Sequence, residues 1–276
     1  MRLGCVISAK DAADLSAKLS ACRRAGYRAV QLNSSAMAQP EFLAAAIASC
    51  QREEMELLSL GAYANPLQPH AENSKSLSTD GLVKLLDILP PAPASSPWRI
   101  ITWSGTLSGQ IFTPHPGNQA PGALSEVIAW TKSFLPLLEK SNAQLLFKPH
   151  HAHILFNTDT IQEFFGEVDS ESVGLAMDPC GLLAPRNFHE RETLIEKGLK
   201  SFGEQVKLVH LRDARIENFQ IALCAPGQGQ MGFAGMLKQL KRYAPDAPCL
   251  IDAVESELTL KRSREFIELQ AKLAGI

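Results

Sequence analysis

Apolar residues along the chain follow two alternating rhythms. Short apolar runs at Leu3–Ser8, Tyr27–Asn33, Glu56–Gly61, Arg99–Trp103, Gln144–Lys148, Val173–Asp178, Val206–Leu211 and Cys249–Ala253 read as strands. Between them lie "DAADLSAKLSACRRAG", "EFLAAAIASCQREE", "SLSTDGLVKLLDIL", "GALSEVIAWTKSFLPLLEKS", "TDTIQEFFGEV", a segment around "ERETLIEKGLKSFGE" and "FAGMLKQLKRYA", with "ELTLKRSREFIELQAKLAG" last. In these segments apolar residues recur at three- and four-residue spacing, which predicts helices. Eight strand–helix alternations predict an α/β chain closed into a (β/α)8 TIM barrel. A doubly wound open sheet is the alternative that the same periodicity allows. Nothing in the sequence marks a second domain, so one barrel over residues 1–276 is expected.

Three interruptions break the alternation. The stretch "PPAPASSP" (90–97) precedes the fourth strand and reads as a stiff connection at the bottom of the barrel. Segments 105–122 and 179–190 follow the fourth and sixth strands, on the face where barrel enzymes build their sites, and both exceed an ordinary strand-to-helix loop. Polar residues collect at that same rim: Gln31 to Asn33, Tyr63 to Asn65, Trp103, Lys148 to His150, Asp178, His210 with Asp213, and Asp252 with Glu255. Polar groups gathered at one mouth of an apolar barrel form a candidate site. Each also has a plainer reading: Asp178 before Pro179 as a strand-end cap, His210 as a core imidazole, Arg212 with Asp213 as a surface ion pair. Tyr63, Trp103 and Phe112 could stack on a ligand at the mouth, or pack beneath the loops.

Composition narrows the classes. The chain has 276 residues, 45% hydrophobic and 20% charged, with a formal net charge of -2. Near-neutral charge without a long basic run argues against nucleic acid as a partner. No apolar stretch approaches a membrane span, and the N-terminal apolar run is too short for a signal peptide, so a cytoplasmic protein is expected. Six cysteines, widely scattered and without a CxxC pair, read as buried thiols.

Five segments, "LLFKPHHAHILFNT", "VGLAMDPCGLL", "VKLVHLRDAR", "APGQGQMGFAGMLKQL" and "CLIDAVESE", carry a resemblance over nearly the whole chain. The sequence resembles the xylose isomerase-like barrels, the sugar-phosphate isomerase/epimerase superfamily. That resemblance implies a glutamate ending strand five shortly before a histidine, and an aspartate ending strand six three residues before a histidine. It further implies a histidine at the end of strand seven and a glutamate at the end of strand eight. In the family the two glutamates, the aspartate and the strand-seven histidine bind a divalent metal, and the glutamates move protons between sugar carbons. Here Lys148 stands at the strand-five glutamate, with His150 matching the histidine after it. Asp178 and His210 match, Gly181 replaces the strand-six histidine, Asp252 replaces the last glutamate, and Gln31 stands where a strand-two glutamate is common.

A lysine offers only donors, whereas hard divalent ions require anionic oxygens. Lys148, Asp178 and Asp252 sum to minus one, the same net charge as three carboxylates with a divalent ion, so the ammonium could replace the ion. Three readings stay open. Asp178, His210 and Asp252 hold a weakly bound manganese, zinc or magnesium ion, or no cofactor is present. Alternatively Lys148, with Asp252, is catalytic towards a carbonyl sugar. In the third, the barrel binds a sugar without turnover. His150, Asn65, Trp103 and Asp213 are the candidate substrate contacts. The expected partner is a small sugar or sugar phosphate, a polyhydroxy carbonyl compound for an isomerase or epimerase of carbohydrate metabolism, and a homo-oligomer is open. A metal-dependent nuclease on the same barrel would require more histidines and carboxylates than these, and a basic surface.

Overall fold

The computed structural model describes residues 1–68, 77–93, 96–254 and 256–276. Two sequence features, part of the 90–97 stretch and Glu255, therefore lie outside the described residues. Barrel strands β1 (Leu3–Ser8), β2 (Ala29–Asn33), β3 (Glu56–Gly61), β4 (Trp98–Trp103), β5 (Ala143–Lys148), β6 (Val173–Met177) and β7 (Val206–Leu211) are followed by a hairpin, β8 (Asp213–Glu217) and β9 (Gln220–Cys224). The last barrel strand is β10 (Cys249–Ile251). The helices are α1 (Ala12–Arg24), α2 (Pro40–Arg52), α3 (Thr79–Ile88), α4 (Pro121–Lys140), α5 (Thr158–Val168), α6 (Arg191–Phe202), α7 (Phe233–Tyr243) and α8 (Glu257–Leu273). Eight parallel strands close in the order β1-β10-β7-β6-β5-β4-β3-β2, which is the expected TIM barrel and excludes the open sheet. The hairpin was not anticipated. It is an antiparallel pair inserted between β7 and α7, and its sequence "DARIENFQIALC" is too short to separate from the strand before it.

Alternation along the strands explains where the polar layer sits. Ile101, Leu146, Ala176, Leu208 and Leu250 form one inward-facing apolar cluster, together with Ala29, Leu58 and Tyr63. Residues two positions further along a strand share its face. Above that apolar layer the same strands therefore aim Trp103, Lys148, Asp178, His210 and Asp252 towards the barrel axis. Register reinforces the grouping, because Trp103 pairs with Lys148 across β4 and β5. The outward-facing residues of the strands meet the helices in a second, larger core. Among the described residues, no helix is long and apolar enough to cross a membrane.

Candidate active site at the C-terminal mouth

Four charged side chains meet at the centre of the mouth. The Lys148 ammonium lies 3.3 Å from Asp178 Oδ2 and 3.4 Å from Asp252 Oδ2. Arg212, from the segment joining β7 to the hairpin, donates to the same Asp178 oxygen and has its Nε 3.8 Å from Asp252 Oδ2. Backbone amides hold the outer oxygens: Cys180 N donates to Asp178 Oδ1 at 3.1 Å, and Ala253 N donates to Asp252 Oδ1 at 2.8 Å. Ala253 does so from the left-handed region, φ 62°, a conformation that strains a residue with a Cβ. Side-chain exposure is 5% for Lys148 and 0% for Asp178, against 22% for Asp252, so Asp252 is the member that faces solvent. It forms the inner wall of a cavity of about 560 Å³ that extends past Ser8 and Lys18 between α1 and α8.

Arg212 is the member of the cluster that sequence reasoning did not single out. Its pairing with adjacent Asp213 suggested a surface couple, yet the two side chains go to different tasks. With Arg212 included, two cations balance two carboxylates, and the cluster is neutral rather than minus one. A signal was available: an arginine two residues after a strand-end histidine, where the chain leaves the barrel rim.

His210 is buried beside this cluster, and its orientation is set from β2. The Gln31 amide nitrogen donates to Asn33 Oδ1 and to the Tyr63 hydroxyl, both at 2.9 Å. That turns the amide oxygen towards Ser59 Oγ and His210 Nε2, the latter at 2.8 Å. His210 therefore carries its proton on Nε2 and presents a lone pair at Nδ1. Among the described residues, His210 Nδ1 and Arg212 Nε are buried without a hydrogen-bond partner.

Electrostatics follow from burial and these pairs. Burial alone would push the Asp178 carboxyl upward, but Arg212 and then Lys148 overcome it and hold it at about 2. Asp252 is likewise raised by burial and drawn well below the usual carboxylate range by Lys148 and Arg212. Burial, with Lys148 adding to it, lowers His210 to about 3, so the imidazole is neutral.

The aromatic residues form one wall of the mouth. Trp103 packs on Tyr63 at 4.6 Å and meets Phe112 and His153 edge-on at 5.2 and 5.4 Å. His150 lies 5.2 Å from Phe112, and its Nδ1 accepts from Ala152 N. Burial lowers His150 to about 2 and His153 to about 4. His153 Nε2 donates to Ile111 O at 2.7 Å while its Nδ1 faces Ser104 Oγ at 3.3 Å. Asn118 donates to Ala152 O at 2.7 Å and accepts from Leu107 N at 2.8 Å. Asn65 is committed to the same scaffolding, bonding Thr106 through both its nitrogen and its oxygen. Asp213 is buried, and backbone amides occupy its carboxylate.

The structure thus brings together Lys148, Asp178, Asp252 and His210, sets Trp103 and His150 at their side, and holds Asn65 and Asp213 in loop structure. The arrangement does not suit a divalent ion. Both candidate carboxylates point their inner oxygens at an ammonium and a guanidinium, and of the expected ligand atoms only His210 Nδ1 is bare. Among the described residues, no three His, Cys, Asp or Glu side chains are grouped to hold an ion.

Comparison with solved structures finds the same fold at low identity. A D-psicose 3-epimerase crystallised with D-fructose superposes with a TM-score of 0.73 at 11% identity, covering 100% of both chains. The 3-keto-D-glucoside 4-epimerase of E. coli gives 0.72 at 14%, covering 98% of this chain and 99% of its own. A xylose isomerase domain protein from Planctomyces limnophilus gives 0.72 at 15%, covering 100% and 99%. Comparison with curated protein sequences finds no match. The family described as xylose isomerase-like TIM barrel matches residues 19–270, and the chain belongs to that family.

Proposed function

We propose that this barrel binds a small polyhydroxy carbonyl compound at its C-terminal mouth and acts on it as a sugar isomerase or epimerase, without a metal at the strand-end cluster. The observation that supports this reading is the Lys148–Arg212 cation pair, fixed by Asp178 and Asp252 beside an aromatic wall. When a carbon next to a carbonyl loses its proton, negative charge develops on the carbonyl oxygen. Two preoriented cations in a partly desolvated mouth stabilise that charge. Asp252, the partly exposed carboxylate of the two, takes the proton in this reading. Neutral His210 offers a lone pair to a sugar hydroxyl, and Trp103 with Phe112 offers an apolar surface to the C–H face of the ring. The epimerases among the structural relatives agree with this substrate class.

The test is exchange of solvent deuterium into ketohexoses at the carbon beside the carbonyl, followed by proton NMR with a chelator present. The expected result is exchange by the native protein that is lost in Asp252→Asn and in Lys148→Met. A second reading, binding without turnover, has one observation in its favour. Both carboxylates are ion-paired and held well below their ordinary range, which makes them weak bases. Saturable binding of the sugar without any exchange would select it.

A further inference from the structure

The segment between the hairpin and α7 closes around one carboxylate. Four backbone amides converge on Asp213: Ala214 N and Met231 N donate to Oδ1 at 2.9 and 3.0 Å, Gly227 N and Gly229 N to Oδ2 at 3.0 and 2.8 Å. Successive amides turned inward make a concavity for an anion, whatever the anion is. The glycines are required for it. Gly227 has φ +90°, and a Cβ on Gly229 would lie 2.3 Å from Asp213 Oδ1. The "GQGQ" sequence is therefore shaped around an oxygen anion that the chain itself supplies.

The position matters as much as the shape. This turn follows β7 on the face that carries the charged cluster, where barrels of this architecture commonly seat a phosphate group. Asp213 is adjacent in sequence to Arg212, and both cations of the cluster are already engaged by Asp178 and Asp252. The nearby helix starts offer no substitute. The caps of α5 and α8 are filled by their own Asn157 and Ser256 side chains, with Asp159 and Glu257 in the first turns; α7, just past the turn, has no side-chain cap, but the Glu192 carboxylate lies against its cap residue Gly232, where a Cβ would meet it at 2.6 Å.

We propose that Asp213 is a built-in anion occupying the anion-binding position of this barrel, and that it makes the site select an uncharged sugar over its phosphate ester. This inference rests on the mouth being the ligand site. Asp213 then acts on specificity by exclusion: its carboxylate fills the amides that a phosphate would need.

The experiment uses the full chain with inorganic phosphate and acetate as probes, and D-fructose against D-fructose 6-phosphate as ligands. Asp213→Ala is expected to lower Tm and to regain most of the loss, saturably, as phosphate or acetate is added, because an anion bound only by the native state stabilises it by mass action. Asp213→Asn, whose carboxamide still fills the concavity, should not respond, and neither should the native protein. Failure of any anion to restore Asp213→Ala, or an equal response in the native protein, overturns the proposal. Should Asp213→Ala not fold, the native protein carries the test alone, with fructose expected to bind at least tenfold more tightly than its phosphate. Equal or tighter binding of the phosphate overturns the inference while leaving the mouth as the sugar site. If no sugar binds, the proposed function fails, and the rescue by anions still decides whether Asp213 fills an anion position.

Discussion

Lys148→Glu tests the charge arithmetic of the mouth most directly. The native cluster balances Lys148 and Arg212 against Asp178 and Asp252; the substitution leaves one guanidinium among three carboxylates, a formal change from zero to minus two. Breaking a buried ion pair costs about 3–5 kcal/mol. Arg212 still holds Asp178, and Asp252 reaches solvent at 22% exposure, so the lower end, about 3 kcal/mol, is expected. At roughly 2–3 °C per kcal/mol for a chain of this size, Tm should fall by about 6–9 °C. The same change creates a donor set that manganese can use, namely the new glutamate, Asp178, Asp252 and the bare Nδ1 of His210. At a hundredfold excess over its dissociation constant, the ion should return about 2.7 kcal/mol. The assay is thermal unfolding of both proteins with and without manganese, after treatment with a chelator. A variant that melts like the native protein and ignores manganese would refute the placement of Lys148 in the cluster. A native protein that gains several degrees from manganese would refute the misfit of a divalent ion.

Other outcomes follow from the same geometry. His153 and His210 are held at about 4 and 3 against an ordinary 6.5, so the native state resists their protonation. Their contribution is complete above pH 6.5 and is lost as pH falls below it, by about 3 kcal/mol at most for His153 alone. Asp178, held at about 2, adds stability that is present above pH 4 and lost between pH 4 and 2, about 2 kcal/mol. Urea midpoints measured from pH 8 to 4 should therefore decline from pH 6.5 downward, and a flat profile to pH 5 contradicts the burial of these rings. Gln31→Leu removes the acceptor for His210 Nε2, so nitrogen NMR of His210 should lose its single-tautomer signature while stability falls by about 1–3 kcal/mol. Gly229→Ala drives a methyl group into Asp213 and should cost about 1–3 kcal/mol by urea unfolding; a neutral effect contradicts the tight approach. Trp103→Ala should weaken ketohexose binding severalfold by calorimetry, with Tyr63 and Phe112 left without their shared contact.

The barrel was legible because its signal is periodic. Among the described residues, the eight barrel strands and eight α-helices lie where alternation and three-to-four spacing place them, with shifts of one to three residues at their ends, such as β2 starting at Ala29 rather than Tyr27. The inward direction of Lys148 did not follow from the sequence alone; the structure supplies it, with Leu146 in the inner apolar layer and Lys148 two residues further along the same face. Sequence spacing does not report which of two adjacent polar residues turns inward where a strand ends. Arg212 and Asp213 leave the rim in opposite roles because a hairpin begins there, and the amides that donate to Asp213 lie in a turn fourteen to eighteen residues downstream. The scaffolding bonds of Asn65 were hidden for a similar reason. Its partner Thr106 lies beyond the next strand, and a loop-to-loop contact leaves no periodic trace.

The stitching of the loops after β3, β4 and β5 has a mechanical consequence. Asn65 ties the first to the second through Thr106, while Asn118, His153 and the Ile154-to-Gly105 amide bond tie the second to the third. The described residues joined by these bonds are mechanically coupled, and the third segment is continuous with Lys148 at the end of β5. Any tilt of the aromatic wall is therefore transmitted to the ammonium, coupling the surface that meets the ligand to the charge that holds Asp178 and Asp252. Among the described residues, the opposite side, along Asp252 and the cavity between α1 and α8, shares none of these bonds.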